Sequence, residues 1–121
     1  MKNFLLPLVI FGITVLAQTK IADPKGADAA NGKRLFERNG CYQCHGYWGQ
    51  GGNAGARLAQ TRLTLVAFSA FVRNPPSGSM PPFRAKVMSD QELADVYAYI
   101  KTIPEPKPAK DIPLLNQIKG Q

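Results

Sequence analysis

Toward the C-terminal end of the chain, Leu93, Val96, Tyr97 and Ile100 recur at i, i+3, i+4 and i+7. This is the apolar stripe of a helix that faces a core. Ser89 precedes the stripe and Glu92 stands three residues on, a capping box that marks where the helix starts. Pro104 ends it near Ile103. Leu65, Phe68 and Val72 repeat the helical spacing over Thr64 to Arg73, which Asn74-Pro75-Pro76 closes. An earlier helix is expected to start near Asp28 and to end at Asn39-Gly40 as a C-cap. Gly32 and Phe36 lie one turn apart on one of its faces. Because Gly32 lowers helix propensity, it is read as a point of close approach for another helix. Two loops separate these helices: 46–55, with five of the 11 glycines, and 77–83, stiffened by prolines. From 104 onward, Pro104, Pro106, Pro108 and Pro113 predict an extended tail. Its Ile112, Leu114, Leu115 and Ile118 either pin it to the domain or contact a partner.

The N-terminal pattern is different. Phe4 to Ala17 is a 14-residue apolar run behind a single basic Lys2, with Val15-Leu16-Ala17 resembling a signal-peptidase site. Such a run is short for a bilayer span and holds Pro7 and Gly12, so residues 1–17 are read as a signal peptide. An uncleaved anchor is the alternative, and it is the only case that places the protein on a membrane. The expected organisation is therefore a signal at 1–17, a domain at 18–103 and a Pro-rich tail at 104–121, in an exported or periplasmic protein.

The chemistry is concentrated in Cys41-Tyr42-Gln43-Cys44-His45, which holds both cysteines and the only histidine of the 121 residues. C-x-x-C-H is the pattern of covalent c-type haem attachment. Each sulfur can add across one vinyl group of the porphyrin, and the adjoining imidazole can ligate the iron. Three rival readings are weaker. A thioredoxin-like pair needs strands around it, and no alternating or β-branched run flanks Cys41. A structural zinc site needs four ligands, whereas this chain offers two Cys and one His. A disulfide between cysteines three apart closes a small, strained loop. Export agrees with the haem reading, because the bacterial attachment machinery works outside the cytoplasm. A chain this short also benefits from a cofactor to fold around.

With His45 used as one axial ligand, no second histidine remains. Met88 directly precedes the cap Ser89 and pairs with Leu93 as a hydrophobic staple. Met80 has no helix to serve, so it is the candidate distal thioether ligand, which raises the reduction potential relative to bis-His ligation. Trp48 is expected to pack. The alternatives are that it lines a haem pocket or donates to a propionate.

The formal charge of +7, or +6 once Lys2 leaves with the signal, is spread along the chain and includes Lys33 to Lys119. It is read as a docking surface for acidic redox partners such as a dehydrogenase or terminal oxidase, or as plain solubility. Export and the lack of any nucleic-acid motif argue against nucleic-acid binding.

Taken together, Gly32, Phe36, Cys41-x-x-Cys44-His45, the Gly-rich loop, Met80-Pro81 and the helix bearing Tyr99 resemble the monohaem class I cytochromes c of bacteria. The resemblance covers about 28–103. It implies an all-α, cytochrome c-like fold of three to four short helices and loops around one covalently attached haem c. The first and last helices would cross near Gly32, with His45 and Met80 as axial ligands and a partly exposed haem edge near the cysteines. One departure stands out. The family often carries Gly-Pro after the glycine loop, and the proline carbonyl accepts the proximal histidine's N–H. Here Gly55 is followed by Ala56, whose carbonyl can still accept that bond, but without the ring's rigidity. Arg57 or Arg62 is a candidate partner for a propionate, surface solvation being the alternative. The expected function is single-electron transfer without catalysis, as a free carrier or as the cytochrome subunit of a dehydrogenase. A haem enzyme or gas-binding sensor with an open distal site is the alternative, and a haem-free exported dithiol protein is a third.

Overall fold

The computed structural model describes residues 26–118, and the expected signal peptide lies outside them. Among the described residues there are five α-helices and no strand. The helices are α1 (Ala29–Arg38), α2 (Cys41–His45), α3 (Leu65–Arg73), α4 (Asp90–Thr102) and α5 (Pro113–Ile118), with one 3-10 turn at Ala109–Asp111 before α5. No described helix is long and apolar enough to cross a membrane.

Local sequence accounts for the helix ends. The Asp28 carboxylate caps α1 by accepting from the backbone N–H groups of Ala30 and Asn31 at 2.8 and 3.1 Å. Gly40, at φ 70°, then turns the chain directly into α2. Thr64 caps α3 through its hydroxyl, which accepts from Ala67 N. At α4 the expected capping box forms in both directions, with Ser89 Oγ accepting from Glu92 N and Glu92 Oε2 accepting from Ser89 N at 2.8 Å.

The dominant packing is α1 against α4. Gly32 sits on the α4 backbone so closely that a Cβ there would overlap the Asp95 carbonyl and stand 2.9 Å from Tyr99 Cβ. One turn on, Phe36 meets Tyr99 edge to face at 5.6 Å between ring centroids. The expected stripes face the core: Leu65, Phe68 and Val72 on α3 and Leu93, Val96 and Ile100 on α4 are buried, and Tyr97 is half-buried against them. Each fully buried large side chain, such as Phe36, Leu93 or Ile100, contributes about 1.5–3 kcal/mol of transfer free energy.

One buried residue was not anticipated. Asp95 is 4% exposed and lies where α1 begins. Its carboxylate accepts from Asp28 N at 2.8 Å, Asn31 Nδ2 at 2.8 Å and Gln91 Nε2 at 3.0 Å. Burial works to raise its pKa. The bonds from Asn31, Asp28 and Gln91 outweigh burial and hold the carboxyl below its usual value.

Two expectations need correction. The tail is extended only through 104–108, after which it coils into the 3-10 turn and α5. Pro113 opens α5 instead of breaking it, because the first helical position requires no N–H. Of the tail's apolar residues, Leu114, Leu115 and Ile118 are exposed, whereas Ile112 is half-buried. Trp48 does not pack in the core either. It is 64% exposed and borders a surface groove with Ile103, Pro104 and Pro106.

Candidate cofactor site

Helix α2 is a single turn, too short to carry a periodic signal, and it was not expected from sequence. It sets Cys41 and Cys44 three residues apart on a helix, with His45 at its C-terminal end. Cys41 is half-buried and Cys44 exposed, and both thiols are free. Burial pushes the Cys41 thiol above its ordinary value, and a hydrogen bond with its own backbone offsets this in part.

His45 is held by the glycine loop. Its Nδ1 lies 2.7 Å from the carbonyl oxygen of Ala56. A carbonyl only accepts, so the neutral ring carries its proton on Nδ1 and leaves the Nε2 lone pair available to a metal. The loop reaches this position because it doubles back tightly. Gly51 N donates to His45 O at 2.8 Å, and Gly52 N donates to Gly55 O at 2.9 Å. At Gly55 a side chain would collide with Cys44 O at 2.8 Å and crowd His45 Nδ1 at 3.0 Å. Gly55 is thus required for Ala56 to approach the imidazole.

Cys41, Cys44, His45 and Met80 line one cavity of about 410 Å³, within the size range of small-molecule and cofactor sites. Its walls are largely apolar and include Phe36, Leu58, Phe68, Val72, Leu93 and Val96. Phe71 and Leu63, about half exposed, also belong to the lining. Arg57 reaches it as well, whereas Arg62 is exposed and outside it. The residues present fit a haem. Two thiols on one helical turn, an imidazole of defined tautomer and a thioether open onto a common apolar chamber.

Met80 and Met88 both border this chamber, and their settings differ. Met88 is 2% exposed within the core, and Met80 is half-buried in the loop between α3 and α4. That loop is organised by Arg73, which sequence reading counted only among the surface charges. Its guanidinium donates to the carbonyls of Phe83 and Met88 and to the Asp90 carboxylate. Nothing in the local sequence distinguishes Arg73 from the other cations. The signal lies in acceptors that become its neighbours only after folding. Among the described residues no group of three or more His, Cys, Asp or Glu is placed to hold a metal ion.

The family model described as "Cytochrome C oxidase, cbb3-type, subunit III" matches residues 27–100, which span α1 through most of α4. Neither the curated proteins nor the solved structures gave a significant match.

Proposed function

Because the chain belongs to the cytochrome c family described by the cbb3-type oxidase subunit III model, we propose that it is a periplasmic monohaem carrier of single electrons. A cytochrome c domain binds haem and serves electron transfer. The finer assignment concerns this chain's own residues. Cys41 and Cys44 would hold the group covalently, and His45 and Met80 would supply its iron ligands. When bound, the haem supplies a one-electron Fe(III)/Fe(II) couple.

The observation that carries this reading is the convergence of Cys41, Cys44, His45 and Met80 on one apolar cavity. The protein's part is to bind and orient. Ala56 O fixes the ring proton of His45 on Nδ1 and so directs Nε2. The apolar walls exclude water, which lowers the local dielectric and favours the less charged, reduced state. With His45 and Met80 both as ligands, the iron would serve electron transfer and would offer no open position to a substrate.

The partner is a redox protein with an acidic docking face, either a dehydrogenase or a terminal oxidase, met by the basic surface of this chain. The family's printed name favours the oxidase side and a role as its cytochrome subunit.

The test is production of the chain in a host with the haem-attachment machinery, followed by ferric spectroscopy and redox titration. The expected result is haem that stays on the polypeptide after denaturation, a weak thioether-to-iron band and a reversible one-electron wave. High-spin ferric iron that binds added ligands in the wild type would overturn it in favour of an open distal site.

A further inference from the structure

Residues 74–82 leave α3, carry Met80 and return at Phe83. The neck of this loop is closed by two kinds of bond. Phe83 N donates to Val72 O at 3.1 Å. Arg73, the last residue of α3, donates from Nη1 to Phe83 O and to Met88 O, each at 2.6 Å, and from Nη2 to Asp90 Oδ1 at 2.7 Å. Its side chain is only 14% exposed. These short bonds from a guanidinium are the charge-assisted kind, and the three acceptors lie in positions that only a planar fork can serve together. Outside the neck, an exposed bond from Arg84 Nη1 to Asn74 Oδ1 at 3.2 Å bridges the same two strands of chain. Val72, Phe83 and Met88 line the same cavity as Met80, so the neck is part of the cavity wall.

We propose that Arg73 is the positioning residue for Met80. It is not among the residues that line the cavity. It holds the loop closed, so that the thioether stays at the cavity and does not swing into solvent. The inference rests on the reading of Met80 as axial ligand. A thioether is a weak, neutral ligand, and holding it in place opposes the conformational entropy of its loop. An added ligand binds only the form in which Met80 has left. Its apparent affinity therefore scales with the fraction of protein in that open form.

The experiment uses the haem-loaded chain and titrates the ferric protein with imidazole, alongside the thioether-to-iron band and urea unfolding. Arg73→Met is expected to bind imidazole at least tenfold more tightly than wild type, with a weakened band. Arg73→Lys, which keeps the charge but loses the fork, is expected to fall between them and carries the test if Arg73→Met does not load. Asp95→Asn serves as a control destabilised at the α1–α4 junction, away from the loop, and should bind imidazole as wild type does. Wild-type affinity in the Arg73 variants, or an equal rise in Asp95→Asn, would overturn the assignment of Arg73. Met80→Ala separates the two claims. A ferric spectrum unchanged in that variant overturns Met80 as the ligand, whereas loss of its band with no Arg73 effect overturns Arg73 alone.

Discussion

The Nδ1 of His45 lies 2.7 Å from the carbonyl of Ala56, at the position where the related cytochromes often present a proline carbonyl. The acceptor is a backbone atom, so the alanine supplies it as well as a proline would. What differs is the stiffness of the chain that carries it. Ala56 N–H donates none of the described hydrogen bonds. Ala56→Pro therefore keeps the bond to His45 and sacrifices no other. It is expected to retain the ferric spectrum and to gain about 0.4–1 kcal/mol by restricting the unfolded chain. Denaturant unfolding of the haem-loaded variant checks this, and a net loss would mean the backbone at 56 does not suit proline.

Gly32→Ala tests the helix crossing with a sign that helix propensity alone predicts wrongly. In an isolated helix the change gains up to about 1 kcal/mol. Here the new Cβ overlaps the Asp95 carbonyl, and separating α1 from α4 is expected to cost about 1–3 kcal/mol or more. Urea or thermal melts decide between the two.

Asp95 makes stability depend on acidity. Its folded pKa is depressed, so its contribution is fully present above the unfolded value of about 4 and is lost as pH falls through the lower folded value. Glu92, also depressed, by its bonds with Ser89 and Arg38, adds to the same acid limb. Asp95→Asn is expected to destabilise by about 1.5–3 kcal/mol at neutral pH, since an amide cannot accept all three donors. It should also flatten the stability profile below pH 4, where the wild type declines. A pH series of melts checks both effects.

The two methionines are expected to separate cleanly. Met88→Ala removes a side chain that is 2% exposed and should cost about 2–5 kcal/mol while leaving the thioether-to-iron band in place. Met80→Ala should abolish that band and lower the reduction potential at smaller cost in stability. Paired spectra and melts distinguish them, and a band lost in Met88→Ala would exchange their roles.

Removal of the chain from Ala109 onward is expected to change stability by less than about 0.5 kcal/mol. Helix α5 packs chiefly on the 3-10 turn that precedes it, and Leu114 and Ile118 are more than 60% exposed. Melts of the full and shortened chains check this.

The helices that face a core and the residues that meet at the cavity are legible in local sequence. Leu93, Val96 and Ile100 declare α4 by period, Ser89 and Glu92 fix its start, and Gly32 marks the crossing, because each acts through neighbours a few residues away. Cys41, Cys44 and His45 are legible for the same reason, and the family match agrees with the resemblance they carry. Helix α2 escaped notice because one turn holds no period, and α5 because Pro113 reads as a breaker until its place at the first helical position is known. The surroundings of Asp95 and Arg73 arise only in the folded chain. As isolated residues they are surface charges like any other. Folding brings Asp28, Asn31 and Gln91 around one, and Phe83, Met88 and Asp90 around the other. Asp28 and Asn31 lie more than 60 residues from Asp95 in sequence. No local pattern encodes such a meeting, since burial and long-range hydrogen bonds exist only once the chain has closed on itself.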